Sequence, residues 1–154
     1  MANISDRIAL KKHKIHMDVE KEMSKSKTGD SIGNPAPVCL KTILLVDDDC
    51  DTRWITKWFL GCVGYVVHAF SDAEGALSQF DPKIHDLVVT DDSMAPMTGA
   101  EMAHIIKMRS ATTPVLMYSG APPKDRSCLD AVVQRPSPLP VLKDAIDKLL
   151  NARR

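Results

Sequence analysis

Five aspartates stand in two short runs, Asp47-Asp48-Asp49 and Asp91-Asp92, and each run directly follows a mostly apolar segment, Ile43-Leu44-Leu45-Val46 or Leu87-Val88-Val89-Thr90. Carboxylates massed at the end of a buried strand repel one another, and they are costly there unless a cation or hydrogen bonds offset the charge. A divalent metal is the simplest remedy. Mg²⁺ prefers a few carboxylates together with waters and a phosphate oxygen, and Asp47, Asp48 and Asp91 can hold one such ion if the two apolar segments lie side by side. Two further apolar segments end in useful groups: Val115-Leu116-Met117-Tyr118 runs into Ser119-Gly120, and Ala131-Val132-Val133 leads to Arg135-Pro136. A hydroxyl, a guanidinium and a metal together suit a phosphoryl group.

These groups meet only if the segments that carry them share one sheet. From Lys41 onward short apolar runs alternate with amphipathic stretches, the pattern of βαβ units and a parallel sheet. The strands are expected at 43–46, 66–69, 87–90, 115–118 and 131–133, each apolar enough to be covered on both faces. Helices are expected at 53–61, 73–80, 100–108 and 139–150, with Gly64-Tyr65 and Pro114 breaking the chain before a strand. Only residues 121–130 are left for a helix between the fourth and fifth strands, so that helix is short or absent. The fold class is therefore α/β, a doubly wound five-stranded parallel sheet with right-handed crossovers. In such a sheet ligands bind outside the carboxyl ends of the strands, which is where the aspartates, Ser119 and Arg135 fall.

The 154 residues make one ordinary domain plus an extension, and the 20 basic and 20 acidic side chains cancel, so no net field draws the chain to nucleic acid or an anionic membrane. Residues 1–40 read as a flexible N-terminal extension, basic at Lys11-Lys12-His13-Lys14 and rich in turn formers from Ser24 to Pro35; Ile4, Ile8, Ile15 and Val19 could line one face of a short helix there. No apolar run reaches the roughly 20 residues of a membrane span, and no signal peptide is evident. Cys39, Cys50, Cys62 and Cys128 lack metal-site spacing and read as reduced thiols, so a cytoplasmic protein is expected.

The run Ile43 to Asp49, the run Asp86 to Asp91 followed by Met94, Pro96, Met97 and Gly99, and the run Val115 to Gly120 resemble, in order and spacing, the receiver domains of two-component response regulators. The resemblance covers residues 41–154. It implies a flavodoxin-like sheet of order 2-1-3-4-5 and a phosphorelay role in which Asp91 accepts the phosphoryl group. Asp47 and Asp48 match the acidic pair that holds Mg²⁺ with Asp91, and Ser93 matches the residue whose backbone carbonyl completes the metal site. Ser119 matches the switch hydroxyl, and Arg135 matches the phosphate-contacting lysine. The implied partner is a sensor histidine kinase or a histidine phosphotransfer protein, with the chain acting as a phosphoryl acceptor and switch rather than as an enzyme. Neither direct nucleic-acid binding nor membrane insertion is expected.

The chain departs from the family at several points. Arg135 puts a planar fork where the family has a compact ammonium. Ala95 separates Met94 from Pro96, and Val132 stands where the family has its aromatic switch residue. Arg135, Val132 and the shortened fourth-helix interval support an alternative, a pseudo-receiver that acts by constitutive protein contact without phosphorylation. A calcium loop starting at Asp47 is excluded because Thr52 replaces the turn glycine and Trp58 the closing glutamate. Trp54, Trp58 and Phe59 read as packing at the core or its edge, and His68, His85 and His104 read as incidental.

Overall fold

The computed structural model describes residues 40–121 and 123–152. The expected flexible extension over 1–40, with its candidate helical face, falls outside the described residues except for Leu40. Five strands form: β1 (Thr42–Val46), β2 (Val66–Phe70), β3 (Leu87–Thr90), β4 (Val115–Ser119) and β5 (Ala131–Gln134). Four helices are described: α1 (Cys50–Cys62), α2 (Ala73–Gln79), α3 (Gly99–Arg109) and α4 (Leu139–Asn151). All strand pairs are parallel and the order is β2-β1-β3-β4-β5. Among the described residues no helix forms between β4 and β5, as the short interval implied.

Side chains alternate across each strand, so the central strands feed two cores. Leu44, Val46, Val88 and Val115 pack on one face against Ala76 and Leu77 of α2 and against Met102, Ala103 and Ile106 of α3. Ile43, Leu45, Leu87, Val89, Leu116, Tyr118 and Val133 pack on the other against Phe59 and Leu60 of α1 and Leu142 and Ile146 of α4. The central strands β1, β3 and β4 are buried almost throughout, whereas the edge strand β2 alternates between exposed and half-buried positions. Trp58 packs against the second core, but Trp54 is 44 % exposed and stacks on Trp58 with centroids 6.3 Å apart, so the aromatic run is only partly interior.

Helix starts are set by side chains. Asp49 accepts from the Thr52 amide at 2.7 Å, so α1 begins at Cys50, ahead of the residue 53 that the apolar periodicity suggested. Asp72 caps α2 through the Gly75 amide at 2.7 Å, and Thr98 with Glu101 forms a capping box on α3. Gly64, at φ 98°, adopts a backbone shape that L side chains resist, and it turns the chain from α1 into β2. Gly99 is required for a different reason. A Cβ built there would lie 1.9 Å from the Asp91 carbonyl oxygen, so the start of α3 can approach the end of β3 only without a side chain. Gly99→Ala should lower stability by about 1–3 kcal/mol, the range of an overpacked site, read from the urea midpoint at constant slope.

One of the histidines, none of which reads as a ligand, has a packing role. His85 is 2 % exposed, stacks on Phe80, and its Nε2 lies 3.0 Å from Nδ1 of His68. Only one hydrogen fits between two facing ring nitrogens, so the pair resists double protonation. Burial, and secondarily the neighbouring His68, hold His85 below the ordinary value of 6.5. In the unfolded chain His85 takes up a proton near that ordinary value, while the folded one refuses it. The unfolded state therefore binds more protons, and this contribution to stability is present above about 6.5 and lost as the pH falls below it. Asp47, pushed up to about 6 by burial, has the opposite effect in the same range, so the comparison must be between variants. Urea unfolding between pH 7.5 and 5.5 should show wild type losing stability faster than His85→Gln, by up to about 1.4 kcal/mol per pH unit. Parallel curves would remove this role for His85.

Candidate phosphoacceptor and metal site

Parallel pairing builds the site. Val46 lies opposite Thr90 in the β1–β3 register, so the next residues, Asp47 and Asp91, emerge side by side at the carboxyl edge of the sheet. The Asp91 amide donates to the Val46 carbonyl at 2.9 Å, and the Asp47 amide to the Phe70 carbonyl at 3.2 Å. Both aspartates are buried, at 3 % and 6 % exposure, while Asp48 is exposed at the rim. One carboxylate oxygen from each of Asp47, Asp48 and Asp91 lies within 4.8 Å of the other two. Three hard oxygen donors this close, two of them buried and one open to solvent, fit a Mg²⁺ that keeps several waters.

The two aspartate runs divide their labour. Asp49 caps α1, and the Asp49 amide donates to Asp47 Oδ1 at 2.9 Å. Asp92 Oδ1 accepts from the Ala100 amide at 3.0 Å and the Asp92 carbonyl from the Gly99 amide at 3.2 Å, which stitches the loop after β3 to the start of α3. Capping and a cluster compatible with a divalent metal, which are rival explanations for an isolated aspartate, thus fall on different residues. Ser93 is exposed, with its amide 3.4 Å from Asp91 Oδ1.

Arg135 comes from the end of β5, where its amide donates to the Ser119 carbonyl at 2.9 Å. Its Nη2 lies 2.5 Å from Asp91 Oδ2 and its Nη1 lies 3.1 Å from Asp47 Oδ2, so one guanidinium bridges both buried carboxylates. A single ammonium has no second branch with which to do this in the same geometry. Ser119 is fully buried at the end of β4; its hydroxyl accepts from the Ala121 amide at 3.3 Å and helps to hold the Asp91 carboxyl below its ordinary value.

The two buried carboxyls respond differently. At Asp47 burial dominates and raises the pKa to about 6, with Arg135 and the Asp49 amide opposing and the Asp91 and Asp49 charges adding to the rise. At Asp91 burial also acts upward, but Ser119, Arg135 and the Asp92 amide outweigh it and hold the group below its ordinary value. The Asp92 amide is 2.7 Å from Asp91 Oδ1. Asp91 is therefore an anion held by Arg135 and the Asp92 amide, the state a carboxylate nucleophile needs.

Of the residues singled out from the sequence, Asp47, Asp48, Asp91, Ser119 and Arg135 come together. Two contributors escaped sequence reasoning. Arg53 Nη1 donates to the Asp47 carbonyl at 2.6 Å, tying the first turn of α1 to the acidic loop. The Arg135 guanidinium carbon sits 5.1 Å from the centre of the Tyr118 ring. An arginine in a first helical turn is too common to be a signal, and the apolar neighbours of Tyr118 marked it only as a strand residue.

Residues 43–134 match the family described as response regulator receiver domain. Among curated proteins the chain is similar to the DNA-binding transcriptional regulator NtrC of Proteus hauseri, 30 % identical over 91 residues, covering 59 % of this chain and 18 % of that protein. The chain thus spans less than a fifth of that relative's length. A receiver domain protein from Methanospirillum hungatei superimposes with TM-score 0.69 at 25 % identity, covering 73 % of this chain and 95 % of that one. The response regulator protein TrrA of Thermotoga maritima, solved with Mg²⁺ and beryllofluoride, gives TM-score 0.67 at 26 % identity over 71 % of this chain and 99 % of its own. TrrA bound to the histidine kinase ThkA gives 0.66 at 27 % identity, over 72 % and 99 %. A matched stretch that starts in β1 and closes in β5, on the sheet whose carboxyl edge gathers the acidic cluster, establishes that the chain belongs to the response regulator receiver domain family.

Proposed function

We propose that the chain is a two-component phosphorelay switch in which Asp91 accepts a phosphoryl group in a Mg²⁺-dependent reaction. The observation that carries this reading is the convergence of Asp47, Asp48 and Asp91 on one point, with Arg135 bonded to Asp91 and Ser119 acting on the same carboxyl. An Asp91 carboxylate oxygen attacks phosphorus in line; the bond from phosphorus to the donor breaks, the leaving group keeps that electron pair, and Asp91 becomes an acyl phosphate. Asp47, Asp48, Asp91 and the Ser93 carbonyl would hold Mg²⁺, which when bound neutralises charge on the phosphoryl oxygens. Arg135 and Ser119, already placed on the acceptor, supply a cation and a hydroxyl for those same oxygens. The new charge draws Ser119 and its loop toward the phosphoryl group and biases the surface beyond it.

A phosphohistidine on a sensor kinase or a histidine phosphotransfer protein is the donor this family relationship favours, consistent with the kinase complex of TrrA. Among the described residues no helix is long and apolar enough to cross a membrane. The balanced charge supports a protein target rather than nucleic acid. The alternative, constitutive contact by an unphosphorylated pseudo-receiver, is favoured by one feature: the Arg135 fork already pairs with both buried carboxylates and offsets part of their charge.

Incubation with acetyl phosphate and Mg²⁺ should give an acid-stable, alkali-labile phosphoryl adduct by intact mass, lost with EDTA and in Asp91→Asn. Equal labelling of Asp91→Asn would sink the assignment; an unlabelled wild type whose amide exchange ignores beryllofluoride would support the pseudo-receiver. Arg135→Gln removes a cation that competes for Asp47 and Asp91. It should tighten Mg²⁺ binding about threefold to tenfold in calorimetric titration while slowing labelling of Asp91, because a +1 charge no longer opposes the incoming ion.

A further inference from the structure

Tyr118 touches the site from the face of the sheet opposite Ser119. Alternation along β4 sends the Ser119 hydroxyl to Asp91 and buries the Tyr118 ring, 7 % exposed, among Phe59, Leu60, Val133 and Leu142. The Tyr118 hydroxyl donates to the Ser137 carbonyl at 3.4 Å, in the turn that leads into α4. The guanidinium carbon of Arg135 lies 5.1 Å from the ring centroid, within the range of a cation–π contact. Two surfaces of one planar cation are therefore engaged: its nitrogens bond Asp47 and Asp91, and the ring lies against it. A cleft of about 280 Å³, lined by Thr52, Thr56, Tyr118, Arg135 and Ser137 among others, borders the pair, so the arginine has free volume in which to swing away if nothing holds it.

An ammonium has no face to stack, whereas a guanidinium does, so arginine at position 135 and tyrosine at 118 form a matched pair. We infer that Tyr118 is a positioning residue for the phosphoryl site: its buried ring fixes the plane and reach of Arg135 so that both Nη groups meet Asp91 and Asp47. The inference deepens the reading of Asp91 as phosphoacceptor and rests on it for its kinetic consequence, though not for its geometry.

The test uses the full chain, ¹⁵N-labelled, as wild type, Tyr118→Phe and Tyr118→Leu, with the Arg135 side-chain Nε–H resonance identified by its loss in Arg135→Lys. The ring current should displace that resonance upfield in wild type and Tyr118→Phe, and it should return to the ordinary arginine position in Tyr118→Leu. Labelling of Asp91 by acetyl phosphate with Mg²⁺ should slow about threefold to tenfold in Tyr118→Leu and stay within about twofold of wild type in Tyr118→Phe, which keeps the ring but not the hydroxyl. An undisplaced resonance in wild type, or Tyr118→Leu matching wild type in both resonance and labelling rate, overturns the inference. If wild type takes no label, the phosphoacceptor reading falls and the resonance alone decides the role of Tyr118. If Tyr118→Leu does not fold, wild type and Tyr118→Phe still decide it.

Discussion

Two buried carboxylates bridged by one guanidinium are the constraint on which the site turns. Asp47 and Asp91 lie side by side because β1 and β3 pair in parallel with Val46 opposite Thr90, and neither can leave without unpairing the sheet edge. Burial, with a smaller addition from the Asp91 charge, pushes Asp47 up to about 6, and the Arg135 fork across both is the nearest compensation. Arg135 reaches them only because β5 is the strand beyond β4, and its amide is pinned to the Ser119 carbonyl. The order of five strands is thus an electrostatic requirement as much as a packing one.

Around this centre the surrounding segments serve to hold loops in place. Asp49 and Asp92 spend their side chains on the starts of α1 and α3, Arg53 grips the Asp47 carbonyl, and Gly99 leaves room for α3 to close on Asp91. Where a helix between β4 and β5 would lie, Asp130 does the fastening instead: its Oδ2 accepts from the Val115 amide at 2.7 Å and from Lys107 Nζ at 2.6 Å. That segment presents turns to solvent rather than a helical face. The aromatic in contact with the site is Tyr118, on the face of the sheet that packs against α1 and α4.

Much of the fold was legible in the chain because short apolar runs separated by amphipathic stretches admit few arrangements. The strand positions follow from the runs at 43–46, 87–90 and 115–118, and the missing helix follows from counting residues between Ser119 and Arg135. Helix starts were less legible. The first apolar contact of α1 is late, while its cap, Asp49, sits inside a run of like residues in which no member is marked as different. His85 was equally opaque, since its burial depends on His68 and Phe80, which reach it from β2 and from the residue that ends α2.

By itself the sequence determined the α/β class, the five strand cores and the clustering of acid, hydroxyl and cation at strand ends, because these depend on local periodicity and on which residue follows each strand. Tertiary structure decided which aspartates converge on one point and which became caps, how Arg135 divides its two nitrogens, and that Tyr118 lies against it. Those outcomes depend on strand register and on distances between residues far apart in the chain, 88 positions in the case of Arg135 and Asp47. No local pattern encodes such a distance; it exists only once the sheet has closed the gap.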